Sequence, residues 1–600
     1  MQYLISLWLS AFAQLLAGDS RWCVLAAESV PLAARGAPSV DLGYAIYQGS
    51  YDANNSVNIF KGIRYAAAPL GNRRWTAPQA PETNRSFAIL ADTDPPICPQ
   101  TGASSETPAE YGFVSGPGNE DCLFLNVFAP ADVADLPVFF WIHGGGYGLF
   151  SATGLDPTDF MASNNNTFVS IVIQYRLGAF GFLSGGEVGA NGTLNAGLLD
   201  MNFALQWVQE HVSKFGGDPT RVTLAGESAG AAAVVYQAMA YGGQNDSLFE
   251  NIISASPWVP NQYNYDDPIP TQSYDQFVAA AGCAAATDRL QCLRDTDSTV
   301  LQNASAKVSE SGPFGTFAFL PVTDGVFLQN RLTEQVLSKA LAGKRVLTGN
   351  MANEGVPLSP PNANTLDAFR DYVNITFPHF SDTDKADLEA RYAYARDFQD
   401  TNASNPLFET SGTFGPSAVN QSSFATGQQQ RGFDVFAEYA FVCPSYWLAA
   451  AYHEGWKYQF SVSPAYHGFD LTAYWSKNAE VPGKDFIHAF HKVWGNFITQ
   501  NSPVITVEDA KGSKANATVP EGEQGNIDWP IWTESKPIML SLNSTGGVPS
   551  FRNVTDNLQY YVYLEPGVTN EFKLANGRSW EAGRGDRCDW WLAQASRAPY

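Results

Sequence analysis

The sequence predicts an α/β protein: one large, mostly parallel central sheet, flanked by helices and interrupted by insertions. Three observations carry this expectation. Val138-Phe139-Phe140-Trp141-Ile142 is apolar without alternation, the pattern of a strand buried on both faces in a parallel sheet. Arg221 to Ala225 is a second β-prone run; it passes through Gly226-Glu227-Ser228-Ala229-Gly230 into the alanine-rich stretch Ala231 to Ala240, which favours helix. Val346-Leu347-Thr348-Gly349-Asn350 reads as a further core strand.

Size and composition agree with a single large core. The chain has 600 residues, 45% hydrophobic and only 16% charged, within the range of globular domains. At roughly 150 residues per domain the length leaves room for about four. No Pro/Ser-rich linker, charge block or internal repeat divides it, so residues 28–600 are expected to form one domain. Lys and Arg number 35 against 59 Asp and Glu, a net charge of −24. Such a surface repels phosphate backbones, so no nucleic-acid partner is expected.

Residues 1–27 read as a signal peptide. Met1 to Ala17 is apolar and uncharged, Gly18-Asp19-Ser20-Arg21 follows, and cleavage falls between 17 and 27. No second long apolar run offers a stable membrane anchor. Twelve Asn-x-Ser/Thr acceptors (Asn54, Asn84, Asn165, Asn191, Asn245, Asn303, Asn374, Asn402, Asn420, Asn516, Asn543 and Asn553) suit a glycosylated, secreted, extracellular protein. Cys23 lies in or beside the signal. Cys98, Cys122, Cys283, Cys292, Cys443 and Cys588 form an even set in an oxidising compartment, and spacing alone selects none of their pairings. The histidines are scattered and no C-x-x-C occurs, so neither a metal nor a cofactor is expected.

Strand, G-x-S-x-G, helix is the context of a nucleophile elbow, where a tight turn lifts a serine hydroxyl clear of the sheet. Ser228 is therefore the candidate nucleophile. An attacked carbonyl develops an oxyanion that needs backbone N–H donors. The run ending at Ile142 leads directly into His143-Gly144-Gly145-Gly146, so the donors are sought there and at Ala229, just after the serine. The serine needs a base, and the base an acid, in the order Ser, Asp/Glu, His. Of the histidines after Ser228, His467 lies on a loop behind the strand-like Tyr458 to Val462, whereas His453, His488 and His491 fall in helix-like stretches and His379 in a connection. Glu354 follows the strand at Val346 to Asn350, between the serine and His467.

From about Gly49 to about Trp590 the chain resembles the type-B carboxylesterase/lipase family of α/β-hydrolases, closest to secreted fungal carboxylesterases. The likeness rests on Phe60-Lys61-Gly62-Ile63-Arg64-Tyr65-Ala66, Glu120-Asp121-Cys122-Leu123-Phe124-Leu125-Asn126-Val127, His143 to Gly146, Phe215-Gly216-Gly217-Asp218-Pro219 and Gly226 to Gly230. The resemblance implies an α/β-hydrolase fold and a serine esterase. It implies a catalytic Ser228–His467–Glu354 set and an oxyanion hole at Gly145, Gly146 and Ala229. It also implies disulfides Cys98–Cys122, Cys283–Cys292 and Cys443–Cys588.

Two departures narrow the expected substrate. Between Cys98 and Cys122 the aromatics are Tyr111 and Phe113, with no tryptophan of the kind cholinesterases use to hold a quaternary ammonium. The same segment is short beside the lids of the family's fungal lipases. A soluble small-molecule ester of modest size is thus expected. The alternatives are a long-chain lipase or sterol esterase, and a non-catalytic cholinesterase-like binding protein.

Overall fold

The computed structural model describes residues 29–30, 37–392 and 425–598, apart from 108, 246, 426, 556 and 557. The signal segment with Cys23, and the acceptors Asn402 and Asn420, lie outside the described residues. The central sheet has eleven strands: β1 (Ser50–Asp52), β2 (Val57–Arg64), β3 (Phe124–Pro130), β4 (Leu136–Ile142), β5 (Val169–Ile173), β6 (Gly217–Glu227), β7 (Asn251–Ala255), β8 (Arg345–Met351), β9 (Glu454–Phe460), β10 (Ile538–Thr555) and β11 (Leu558–Asn576). Across the sheet they lie in the order β11-β10-β9-β8-β7-β6-β4-β5-β3-β2-β1. Every pairing from β5 across to β10 is parallel, and both flanks are antiparallel. This is the architecture expected from the sequence.

The unbroken apolar runs follow from burial on both faces. In β4, Val138, Phe140 and Ile142 join the core on one side of the sheet, and Phe139 and Trp141 join the core on the other. The first core is completed by helix α1 (Ala196–His211), by α2 (Ala229–Gly243), in which every residue from Ala229 to Ala240 is buried, and by α3 (Cys443–Ala451). The second is covered by α4 (Lys484–Gln500), which turns Phe486, Phe490, Trp494 and Phe497 inward at helical spacing. Helix α5 (Trp580–Ala593) packs beside α3. The three expected disulfides are present, and Cys443–Cys588 joins α3 to α5.

Two features go beyond the sequence reading. Strand β9 begins at Glu454 rather than Tyr458, because its parallel pairing with β8 starts at Arg345↔Glu454. Strands β10 and β11 form a hairpin far longer than the sheet edge it joins: only Leu540 to Leu542 pair with β9. Its inner face carries the buried Tyr560 and Val562; Phe551 and Tyr561 on the outer face are exposed.

Topology then fixes where chemistry can collect. From β4 the chain runs to β5 on one side and returns to β6 on the other. Open α/β sheets bind ligands outside the carboxyl ends of strands at such a reversal. His143 to Gly146 leave the carboxyl end of β4, and Ser228 leaves that of β6.

Candidate active site

Ser228 has φ 59° and ψ −126°, a backbone region that side-chain-bearing residues rarely occupy. The turn is held there by backbone packing. The Ser228 N–H donates to the Ala255 carbonyl at 3.0 Å, while its own carbonyl accepts from Ala232 and Trp258, both at 3.0 Å. A Cβ on Gly226 would stand 2.4 Å from the Gly230 backbone, and one on Gly230 would stand 2.2 Å from the Ile142 carbonyl oxygen. Neither contact is tolerable, which is why both flanks of the serine are glycine.

Glu354 and His467 arrive on the loops after β8 and β9, which are sheet neighbours. The loops are tied together: the Asn353 N–H donates to the Ala465 carbonyl at 2.9 Å, its side-chain amide to the Pro464 carbonyl at 2.9 Å, and the His467 N–H to the Val356 carbonyl at 2.9 Å. His467 Nε2 lies 2.8 Å from Ser228 Oγ, and its Nδ1 lies 2.7 Å from Glu354 Oε2. The other Glu354 oxygen accepts from the Met351 N–H at 2.7 Å. Glu354 is fully buried, whereas Ser228 and His467 keep 7% and 8% of their surface exposed.

Gly145 and Gly146 adopt φ +98° and +62°, and a Cβ on the preceding Gly144 would stand 3.0 Å from that of Ser228. Among the described residues no carbonyl or side chain takes either N–H. Ala229 opens helix α2, so its N–H has no partner within the helix. His143 stacks on Tyr175 with ring centroids 4.5 Å apart, and the Tyr175 hydroxyl donates to the His143 carbonyl at 2.9 Å. Burial pushes the His143 imidazole down to about 4, so near neutral pH it is uncharged and donates Nδ1–H to the Gly144 carbonyl at 2.9 Å.

The other histidines after Ser228 lie elsewhere. His488 pairs with Asp509 at 2.9 Å, His491 contacts Ser163 Oγ at 2.9 Å, and His379 lies edge-on to Tyr263. His453 occupies the bend between α3 and β9 rather than a helix.

Two acids escaped the sequence reading. Glu227 Oε1 lies 3.7 Å from His467 Nε2, and Asp470 sits three residues beyond the histidine. Burial drives the Glu227 carboxyl well above its usual range, with Asp470 and Glu354 adding to the effect. Asp470 is pushed up to about 7, chiefly by burial, although the Tyr474 hydroxyl donates to it and opposes the shift. Glu227 falls inside the Gly226–Gly230 motif and Asp470 on the His467 loop, but nothing in a linear sequence signals that a carboxyl is buried.

Comparison with known proteins matches this architecture to one family. The sequence pattern of the carboxylesterase family covers residues 37–558. The chain belongs to the carboxylesterase family. It is 30% identical to Lipase 4 of Diutina rugosa over 526 residues, 82% of this chain and 90% of that protein. It is 33% identical to Secreted lipase 1 of Botryotinia fuckeliana over 388 residues, 60% and 67% of the two chains. Among solved structures, Aspergillus niger EstA superposes with a TM-score of 0.71 at 25% identity, over 94% of this chain and 99% of that one. The carboxylesterase thus has an α/β-hydrolase fold and is a carboxylic ester hydrolase. No described helix is long and apolar enough to cross a membrane.

Proposed function

We propose that this carboxylesterase cleaves soluble esters of modest acyl size through an acyl-enzyme on Ser228, in the extracellular space. The observation that carries the reading is the continuous hydrogen-bonded chain Ser228–His467–Glu354, 2.8 and 2.7 Å long at its two links. Neutral His467 takes the Ser228 proton through Nε2 as Oγ attacks the ester carbonyl. The N–H groups of Gly145, Gly146 and Ala229 receive the oxyanion. Protonated His467 hands its proton to the departing alcohol, and water then repeats the cycle on the acyl-enzyme. Glu354 orients the imidazole and stabilises its charged form.

A modest acyl size is supported by the aromatic wall beside Gly146. A Cβ on Gly146 would meet the Phe317 ring at 2.3 Å, so the ring lies directly against that glycine. Trp258 and Phe113 pack on Phe317, at 5.6 and 6.2 Å between centroids, and Tyr147 packs on Trp258 at 5.8 Å. These rings crowd the space beside Gly146, which supports a modest acyl size. The lipase names of two relatives favour the opposite reading, a long-chain substrate.

Secretion is supported by the signal-like residues 1–27 and by a secreted relative. Eight acceptors (Asn54, Asn84, Asn165, Asn191, Asn303, Asn374, Asn516 and Asn553) are exposed, while Asn245 and Asn543 are buried. The Asn245 amide already donates to the Gln237 carbonyl at 3.1 Å, so sugar is expected on the exposed set and not there.

Initial rates on 4-nitrophenyl esters from acetyl to palmitoyl, with Ser228→Ala in parallel, test the reading. Rates should peak at short acyl chains and fall on the order of 10⁶-fold in the variant. A long-chain peak would replace the substrate assignment and keep the mechanism. Full activity in Ser228→Ala would overturn the mechanism itself.

A further inference from the structure

One ring next to the site has no part in the scheme above. Phe441 is fully buried, and its ring centroid lies 4.3 Å from that of His467, with the planes inclined by 40°. The other groups facing the imidazole are polar or acidic. They are Glu354 at 2.7 Å on the β8 loop, Glu227 at 3.7 Å and the Ser228 hydroxyl on the elbow, and Asp470 on the histidine's own loop.

The segment that carries Phe441 is fastened on every side. It is a π-helical turn, Glu438–Val442. Arg584 and Arg587 of α5 donate to the Glu438 carboxylate at 2.6 to 2.9 Å, and the Tyr392 hydroxyl donates to it at 2.6 Å. Glu438 is thereby turned away from the histidine. The Ala440 carbonyl accepts from the Val259 N–H at 2.9 Å, and Cys443, next along the chain, is bonded to Cys588. A ring mounted this firmly is a fixed surface against which the imidazole must sit.

We propose that Phe441 is a positioning residue: its ring holds the His467 imidazole in line between Glu354 and Ser228 and favours the protonated form. A cation within about 6 Å of an aromatic centroid is attracted by the ring quadrupole, more strongly where water is excluded. The imidazolium exists only after Ser228 has given up its proton, so the attraction acts where the reaction needs it. The inference rests on His467 being the base.

The test compares pH profiles of kcat/KM for the wild type, Phe441→Leu, Phe441→Tyr and Ser228→Ala. Leucine keeps the apolar cover and removes the π face. The acid-side midpoint of Phe441→Leu should move to lower pH by about 0.5 to 1 unit, while the plateau kcat falls about 10-fold. Phe441→Tyr retains an aromatic face and should keep the wild-type midpoint. A folded Phe441→Leu enzyme whose midpoint stays in place or rises overturns the proposal, whatever its kcat. Should the leucine variant fail to fold, Phe441→Met is read by the same criterion. Undiminished turnover in Ser228→Ala would sink the underlying serine mechanism instead, so the two failures are distinguishable.

Discussion

Ser228 and the glycines near it owe their positions to main chain pressed against main chain, whereas His467 and Glu354 are side chains delivered by two loops. On the serine side the decisive contacts are the 2.2 and 2.4 Å approaches that forbid a Cβ at Gly230 and Gly226. On the histidine side they are hydrogen bonds from Asn353 to Ala465 and Pro464, together with the Phe441 ring. The difference separates two ways of holding a reacting group. The elbow shares its geometry with the fold and cannot be altered without disturbing the core. The acid–base pair is held by interactions that can be removed one at a time.

Substitutions that strike one side can break this contrast. Glu354→Gln keeps the shape and removes the charge, and should lower kcat on the order of 10⁴-fold with little change in melting temperature. A large loss of stability there would show the acid to be structural as well.

His143 is the titratable histidine of the serine side. Because its folded form is held down to about 4 by burial, its contribution is fully present above the ordinary imidazole pKa of about 6.5. It is lost as pH falls through about 4. The wild type should therefore lose about 3 kcal/mol more than His143→Gln between pH 7 and pH 4 in urea unfolding. Equal losses would mean that the buried imidazole does not titrate as its surroundings dictate.

Gly230→Ala places a methyl group against the Ile142 carbonyl and should cost about 2–3 kcal/mol of stability together with most of the activity. An active, fully stable variant would contradict the claim that backbone packing fixes the elbow. The smallest effect is expected from Asn353→Ala, which leaves the Pro464 carbonyl without its donor. It should destabilise by about 1–2 kcal/mol and reduce kcat less than 10-fold, read from melting curves and steady-state kinetics.

The same contrast explains what could be read from the amino acids alone. Groups placed by the backbone leave a local signature, because glycine must stand wherever chains touch. Gly226, Gly230 and the run Gly144 to Gly146 were therefore visible, as were β4, β6 and β8, whose apolar runs reflect burial on both faces. His467 was found by chain order and its place behind a strand, and Glu354 by its position between strand and histidine. Glu227, Asp470 and Phe441 gave no such sign. Their significance lies in burial and in neighbours that the chain brings together only on folding. The β10–β11 hairpin was missed for a related reason. Over most of its length it pairs only with itself and leaves one face in solvent, so its residues lack the continuous apolar pattern of the inner strands.

The Cys443–Cys588 bridge and the arginines of α5 place the fastening of Phe441 at residues 584 to 588, although the backbone partners of Ser228 end at Trp258. A ribosome builds the chain from its N-terminus. For about two hundred residues of synthesis beyond Trp258, the growing polypeptide therefore holds the serine and its backbone partners but not yet His467. The residues that fasten the turn behind the histidine are made later still, in the final long helix. A serine that acts through His467 is thus without its base until most of the chain exists to enclose it.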